Sequence, residues 1–417
     1  MSLRKTMVSN LKERRQRIIE GKVNSIPSPF PRFSDDFIGI EQATYYTVTS
    51  FTKGGKSQFS SFTFIYNALL FAYYHKETDI KVTIIYFALE ETPERIMQRF
   101  TSYVLYMFTK GKIRISPRDL RSSKNDKPVP QEVLDKIDSK EVTELLDFFE
   151  DNIIFSSESN PTGIYKFCRD YAAKTGVETK KKYTVKNGFG LEEEREAFDY
   201  YTPNNPNEYV IPVIDTINII DTEKGMTLKQ SMDKLSEYLG KYLRNRYYFS
   251  PLVIQQQAFE QENNEAFKLN KVRPSVAGLG DSKYTSRDAN VVLGLFSPAR
   301  FGLVEYMGYD ITKLKDNVRF LEVIVNRDGE MGGIIALYFD GAVCTFKEMP
   351  KPDDVEGLKK VYERIKLNKE SDNTAIAMLS YSKTISKNND KTLQKKNIFS
   401  TFAIQFKNKI KELWQKL

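Results

Sequence analysis

Residues Ser50–Ser57 read SFTKGGKS, a glycine-rich turn ending in Lys-Ser. An apolar, β-branched run, Tyr45–Thr49, precedes it, and an apolar helical pattern, Phe62–Tyr74, follows. Strand, glycine turn and helix is the plan of a phosphate-binding loop. Backbone N–H groups of the turn face the phosphates, and the helix N-terminus adds the positive end of its dipole. The lysine reaches the β- and γ-phosphates, and the serine hydroxyl holds Mg²⁺. Gly55, Lys56 and Ser57 have the spacing of G-x-x-x-x-G-K-[ST], whereas Ser50 stands where that pattern has its first glycine. A bare Gly-Lys-Ser is weak by itself; the flanking strand and helix give it meaning. The expected nucleotide contacts are Ser50, Phe51, Thr52, Lys53, Gly54, Gly55, Lys56, Ser57 and Gln58.

Splitting a nucleoside triphosphate also takes a carboxylate that orients Mg²⁺, a base or water-orienting group, and often an arginine. Asp215 closes the apolar run of VIPVIDTINII and suits the first role, unless it merely ends a strand at the surface. Glu90 closes KVTIIYFAL and is the candidate base; the alternative, an acid that stabilises a helix N-terminus, suits Glu91 and Glu94 better. Gln257 ends PLVIQQQ, as a γ-phosphate sensor or as a plain polar strand end. Arg327 lies in NRDGEMGG, a glycine-rich tip that leaves it either solvated or projecting into a neighbouring subunit.

These residues need a scaffold that brings strand ends together. The buried strands expected are Tyr45–Thr49, Lys81–Leu89, Asn152–Phe155, Val210–Ile220, Pro251–Gln256 and Asn290–Phe296, with a hairpin of Arg319–Val325 and Gly333–Phe339. Helical patterns sit between most of them, which predicts an α/β fold with a mainly parallel sheet. In such sheets ligands bind at the carboxyl edge, where Glu90 and Asp215 would meet the glycine turn. Residues 1–36 are expected to form a helix with the stripe Leu3, Met7, Leu11 and Ile18 and then a proline-rich connector. The core spans 37–349, with a polar insertion at 171–207, and a basic helical tail spans 350–417.

Composition narrows the rest. With 417 residues, 40% hydrophobic and 28% charged, the chain reads as a globular protein with room for a large core. No apolar run approaches a membrane span. Two distant cysteines and a single histidine argue against structural zinc and predict reduced thiols in a cytoplasmic setting. Of the net charge of +8, the tail beyond Pro350 carries most, with 15 Lys+Arg against 8 Asp+Glu. Phe399, Phe402, Phe406, Ile410, Leu413 and Leu417 share one face of a final helix, for packing on the core, a partner groove or a membrane surface.

The order of these pieces resembles the RecA-like motor domain of the DnaB family of hexameric replicative helicases. SIPSPFPRFSDDFIGIEQATYYTVTSFTKGGKS resembles the family's entry into its phosphate loop, YFALEETPERIMQRF its strand with the catalytic glutamate, and VIDTINII its Walker B segment. NIIFSSESNPTGIYKFCRDYA, PLVIQQQ, GLGDSKYTSRDANVVLGLF and VIVNRDGEMGGIIALYF resemble the segment before Walker B, the sensor strand, the DNA-facing loop with its following strand, and the arginine-finger hairpin. The resemblance covers roughly residues 24–348. It implies a P-loop NTPase fold, ATP and Mg²⁺, catalytic roles for Glu90, Gln257 and Arg327, metal linkage through Ser57 and Asp215, and DNA contacts from Lys283 and Arg287. It further implies a homohexameric ring on single-stranded DNA, from a phage or bacterial replication system, with a primase or loader as partner and no membrane.

The chain departs from the pattern at Ser50, at Val325 (a lysine in the family), and in the DNA-facing loop at Gly280 and Lys283. The family's N-terminal collar domain is expected to be absent, and the early helix would match its linker helix. These departures put subunit coupling and DNA grip in question more than ATP binding. Two other readings share the motor: a RecA/RadA-type recombination or loading ATPase, and a degenerate structural or packaged member.

Overall fold

The structure, a computed structural model, describes residues 3–123, 128–186, 192–258, 273–280 and 282–368. The chain divides into a unit of residues 1–362 and a second of 363–417. Of the second, only the helical residues 363–368 are described, so the expected amphipathic helix at 399–417 lies outside the described residues.

Eleven strands are named here: β1 Tyr46–Ser50, β2 Lys81–Ala88, β3 Ile153–Ser156, β4 Gly176–Lys186, β5 Glu192–Pro203, β6 Glu208–Asp215, β7 Leu252–Gln256, β8 Val291–Phe296, β9 Val318–Asn326, β10 Ile334–Asp340 and β11 Thr345–Glu348. Nine form one sheet in the order β11-β10-β9-β8-β1-β7-β6-β2-β3. From β8 to β3 all neighbours are parallel, and β9, β10 and β11 add an antiparallel meander. The fold is α/β with a mainly parallel sheet, as the alternation of strand and helix patterns predicts. The parallel strands are near-continuous apolar runs because both faces are covered.

The helices that cover them are α2 Lys56–Ser60, α3 Asn67–Tyr74, α4 Pro93–Phe108, α5 Lys140–Asp151, α6 Pro161–Thr175 and α7 Leu228–Glu237, with α1 Leu3–Ile19 at the start and α8 Tyr284–Asp288 before β8. A π-helical turn, Ser61–Tyr66, joins α2 to α3. One face of the sheet buries Phe59, Phe64, Phe100 and Phe149, and the rings of the last two stack with centroids 3.8 Å apart. The other face buries Ile164, Cys168, Met232 and Leu235. Each helix starts for a local reason. Pro93 opens α4, Asn160 Oδ1 accepts Gly163 N–H (2.9 Å) at the head of α6, and Thr227 with Gln230 forms a capping box on α7.

Three stretches differ from their sequence outlines. The run Val210–Ile220 is a strand only to Asp215, after which Ile217–Ile219 forms a 3₁₀ turn. Residues 171–207 complete α6 and then form the two-stranded β4–β5 ribbon, with Gly176 opposite Pro203. Its root is pinned by Tyr201, 3% exposed, whose hydroxyl donates to Ala172 O (3.0 Å). Farther out, Lys180 and Lys182 pair across the ladder with Glu196 (3.7 Å) and Glu194 (3.4 Å). Helix α1 leaves Met7, Leu11 and Ile18 more than half exposed.

Candidate active site

The chain leaves β1 at Ser50 and enters α2 at Lys56. Two glycines make that turn possible. Gly55 caps α2 with φ +95°, in left-handed backbone. A Cβ on Gly54 would meet Ser50 Oγ at 2.7 Å and Phe51 O at 2.9 Å. The Ser50 hydroxyl donates to Phe51 O (2.9 Å), and Gly54 N–H donates to the same carbonyl (3.0 Å). The serine in the first-glycine position is thus built into the loop's own hydrogen bonds, in space that Gly54 leaves open.

Side chains from elsewhere fix the remaining loop groups. Arg319 Nε donates to Gly54 O (2.7 Å), the Arg300 guanidinium donates to Thr52 O, and the Gln256 amide donates to Thr52 Oγ1 (2.5 Å). Phe51 is buried against the ring of Phe301, centroids 5.2 Å apart. Lys53 is exposed with φ +57°. The Lys56 ammonium has no carboxylate partner among the described residues, which leaves it available to phosphate. Gln58 turns beneath the loop, where its side-chain oxygen is buried without a hydrogen-bond partner.

The carboxyl edge brings the acids to this loop. In register, Ala88 of β2 lies beside Asp215 of β6, and Gln256 of β7 lies beside Ser50 of β1. Ser57 Oγ donates to Asp215 Oδ1 (3.1 Å), and the Tyr86 hydroxyl donates to Oδ2 (2.8 Å). Asp215 is 3% exposed. Burial raises its pKa; the bonds from Tyr86 and Ser57 oppose that rise, and the charge of Glu90 adds to it. Glu90 is exposed, in the bend after β2, close enough for its charge to be felt at Asp215. Its neighbour Glu91 pairs with Arg99, whose Nη1 is buried without a hydrogen-bond partner.

The hydroxyl and carboxylate oxygens of Ser57 and Asp215 are hard donors that suit Mg²⁺. Among the described residues no group of three or more His, Cys, Asp or Glu could hold a metal by itself. Mg²⁺ would therefore take its other positions from phosphate and water, which is its usual habit. The glycine cradle and the buried acid fit a nucleotide–Mg²⁺ complex.

Two expected catalytic residues sit elsewhere. Gln257 is 2% exposed, and its amide donates to Thr49 Oγ1 (2.9 Å) and Ser275 O (3.1 Å). Side chains alternate along a strand, so its neighbour Gln256 is the glutamine turned to the loop. Arg327 follows the last residue of β9, where Asn326 pairs with Val291, itself beside Tyr46. That level is the amino edge of the sheet, four strand residues below Ser50 and roughly 13 Å or more from its own phosphate loop. There the Arg327 guanidinium donates to Arg287 O. Lys283 and Arg287 lie at this same edge, both exposed on or beside α8, with Arg287 stacked 3.6 Å from the Tyr284 ring. Sequence reasoning missed Tyr86, Arg99, Gln256, Arg300 and Arg319. Strand alternation could have found Gln256, and an arginine opening the apolar run RFLEVIV was a signal for Arg319.

No family model matches the sequence, and no curated protein does. Among solved structures, the chain is similar to the ATPase domain of a phage helicase, with 15% identity and a TM-score of 0.58, over 84% of this chain and 99% of that one. It is also similar to a DnaB-like replicative helicase studied for its interactions with primase, with 16% identity and a TM-score of 0.55, over 83% of this chain and 66% of that one. What is shared at such identities is the fold, a RecA-like α/β domain.

Proposed function

We propose that the chain is an ATP-driven DNA helicase of the DnaB type, a homohexameric ring that translocates on single-stranded DNA during replication. Backbone N–H groups of residues 53–57 and the Lys56 ammonium hold the phosphates. Ser57 and Asp215 are the protein oxygens for Mg²⁺, which neutralises charge on the β- and γ-phosphates. Glu90 orients the attacking water and accepts its proton. Gln256, through Thr52, is the glutamine nearest the γ-phosphate position. Lys283 and Arg287, beside Tyr284, meet phosphates of the strand. The setting is cytoplasmic, with a primase or loader as further partner.

The observation that carries the ring is the position of Arg327. It lies at the opposite edge of the sheet from its own phosphate loop, so an arginine finger here must serve a neighbouring subunit. The test mixes two inactive proteins. Arg327→Ala keeps an intact ATP site, and Lys56→Ala keeps a donor arginine. Adjacent in one ring, they should restore ATPase activity above the sum of the two alone. If mixed rings form and no ratio does so, the in-trans role is wrong. Unwinding of a forked duplex separates this reading from a filament-forming recombinase, which would hydrolyse ATP without separating strands.

A further inference from the structure

We propose that Arg319 is a second cation of the phosphate site, acting from beneath the loop; this rests on residues 50–57 being a nucleotide phosphate site. Arg319 is 1% exposed and is the largest fully buried side chain of the described residues. It stands at the start of β9, whose next residue, Phe320, pairs with Phe296 of β8. That register puts it on the carboxyl edge, under the glycines. Nε donates to Gly54 O (2.7 Å), and the same atom lies 3.6 Å from where a Cβ of Gly55 would be. Nη1 donates to the carbonyls of Asp316 (2.8 Å) and Val318 (2.9 Å), and the guanidinium lies 4.4 Å from the Phe339 ring centroid.

A buried guanidinium ordinarily sits against a buried carboxylate. Here the only carboxylate partner among the described residues is Asp316, at 2.9 Å from Nη2, and its side chain is 77% exposed. Water screens the anion far more than it screens the cation. The unbalanced charge points through two glycines that lack side chains to block it. The loop gains twice. Its Gly54 carbonyl is fixed, which keeps the following N–H groups aimed outward, and the cradle gains a cation that water cannot neutralise. Arg319 does not touch the nucleotide; it is a positioning residue whose charge reaches the phosphates.

A charge effect scales with the charge of the ligand, whereas a folding role does not. Binding of ATP, ADP and AMP to the full-length chain is therefore measured for wild type, Arg319→Gln, Arg319→Lys and Asp316→Asn. Arg319→Gln should weaken ATP by about tenfold, ADP less, and AMP hardly at all. Arg319→Lys should keep the wild-type ranking of the three. Asp316→Asn, a change at an exposed site, should tighten ATP by about threefold and leave AMP alone, and it decides the matter if Arg319→Gln does not fold. Equal losses for all three nucleotides in folded Arg319→Gln, or no tightening in Asp316→Asn, would overturn the proposal while leaving the site in place. Absence of ATP binding by wild type would remove the phosphate-site reading and this inference with it.

Discussion

Lys56, Glu90 and Asp215 divide the work of one reaction, and each can be removed separately. Lys56→Ala takes away the cation that follows the glycines, and ATP hydrolysis should vanish in a phosphate-release assay. Glu90→Gln keeps shape but cannot accept a proton, so ATP should still bind while turnover stops. Turnover at the wild-type rate would assign the base elsewhere. The two glutamines at the end of β7 part company in the same way. Gln257→Ala leaves the hydroxyl of Thr49 and the carbonyl of Ser275 without their amide, and should cost about 1–3 kcal/mol of stability in denaturant melts. Gln256→Ala loosens Thr52 in the loop, and should lower kcat with little change in the melt. The reverse pattern would restore Gln257 as the sensor. Sequence spacing brought a glutamine to this place but missed which one, because a one-residue difference in where a strand ends flips the side chain to the other face.

At the scale of elements, the parallel strands were legible because burial on both faces writes itself as uninterrupted apolar runs: KVTIIYFA and VVLGLF are found within a residue of where their sequences put them. The phosphate loop was legible because glycine and lysine in that turn have few other uses. What was not legible came from contacts distant in sequence. Nothing near Arg319 or Arg300 says that they close on Gly54 and Thr52. Nor does the Lys- and Glu-rich stretch after α6 declare itself a ribbon, since its outer residues bury nothing and its pattern comes from charge pairs across the ladder. That predicts tolerance. Replacing residues 179–200 with a short turn should shift the melting midpoint by no more than a few degrees, because exposed pairs contribute about 0.2–1 kcal/mol each. Loss of folded protein would mean that the ribbon is part of the core's support.

For the whole molecule, the exposed stripe of Met7, Leu11 and Ile18 on α1 and the amino-edge position of Arg327 both look outward for a second copy. Electron microscopy with a non-hydrolysable ATP analogue and single-stranded DNA should give closed six-membered rings; helical filaments would favour the recombinase reading. Lys283→Ala with Arg287→Ala should weaken single-stranded DNA binding and flatten its salt dependence, while ATP binding stays as it was. Strand β9 has one more consequence. It begins with Arg319 against its own chain's Gly54 and ends next to Arg327 at the far edge. In the proposed ring its two ends therefore rest on two different nucleotides, about 27 Å apart along one extended backbone. Such a strand is a push-rod. Any shift of the loop at one end, as phosphate comes or goes, presses on the finger at the other, so the clock that orders firing around the ring would run along a single stretch of nine residues.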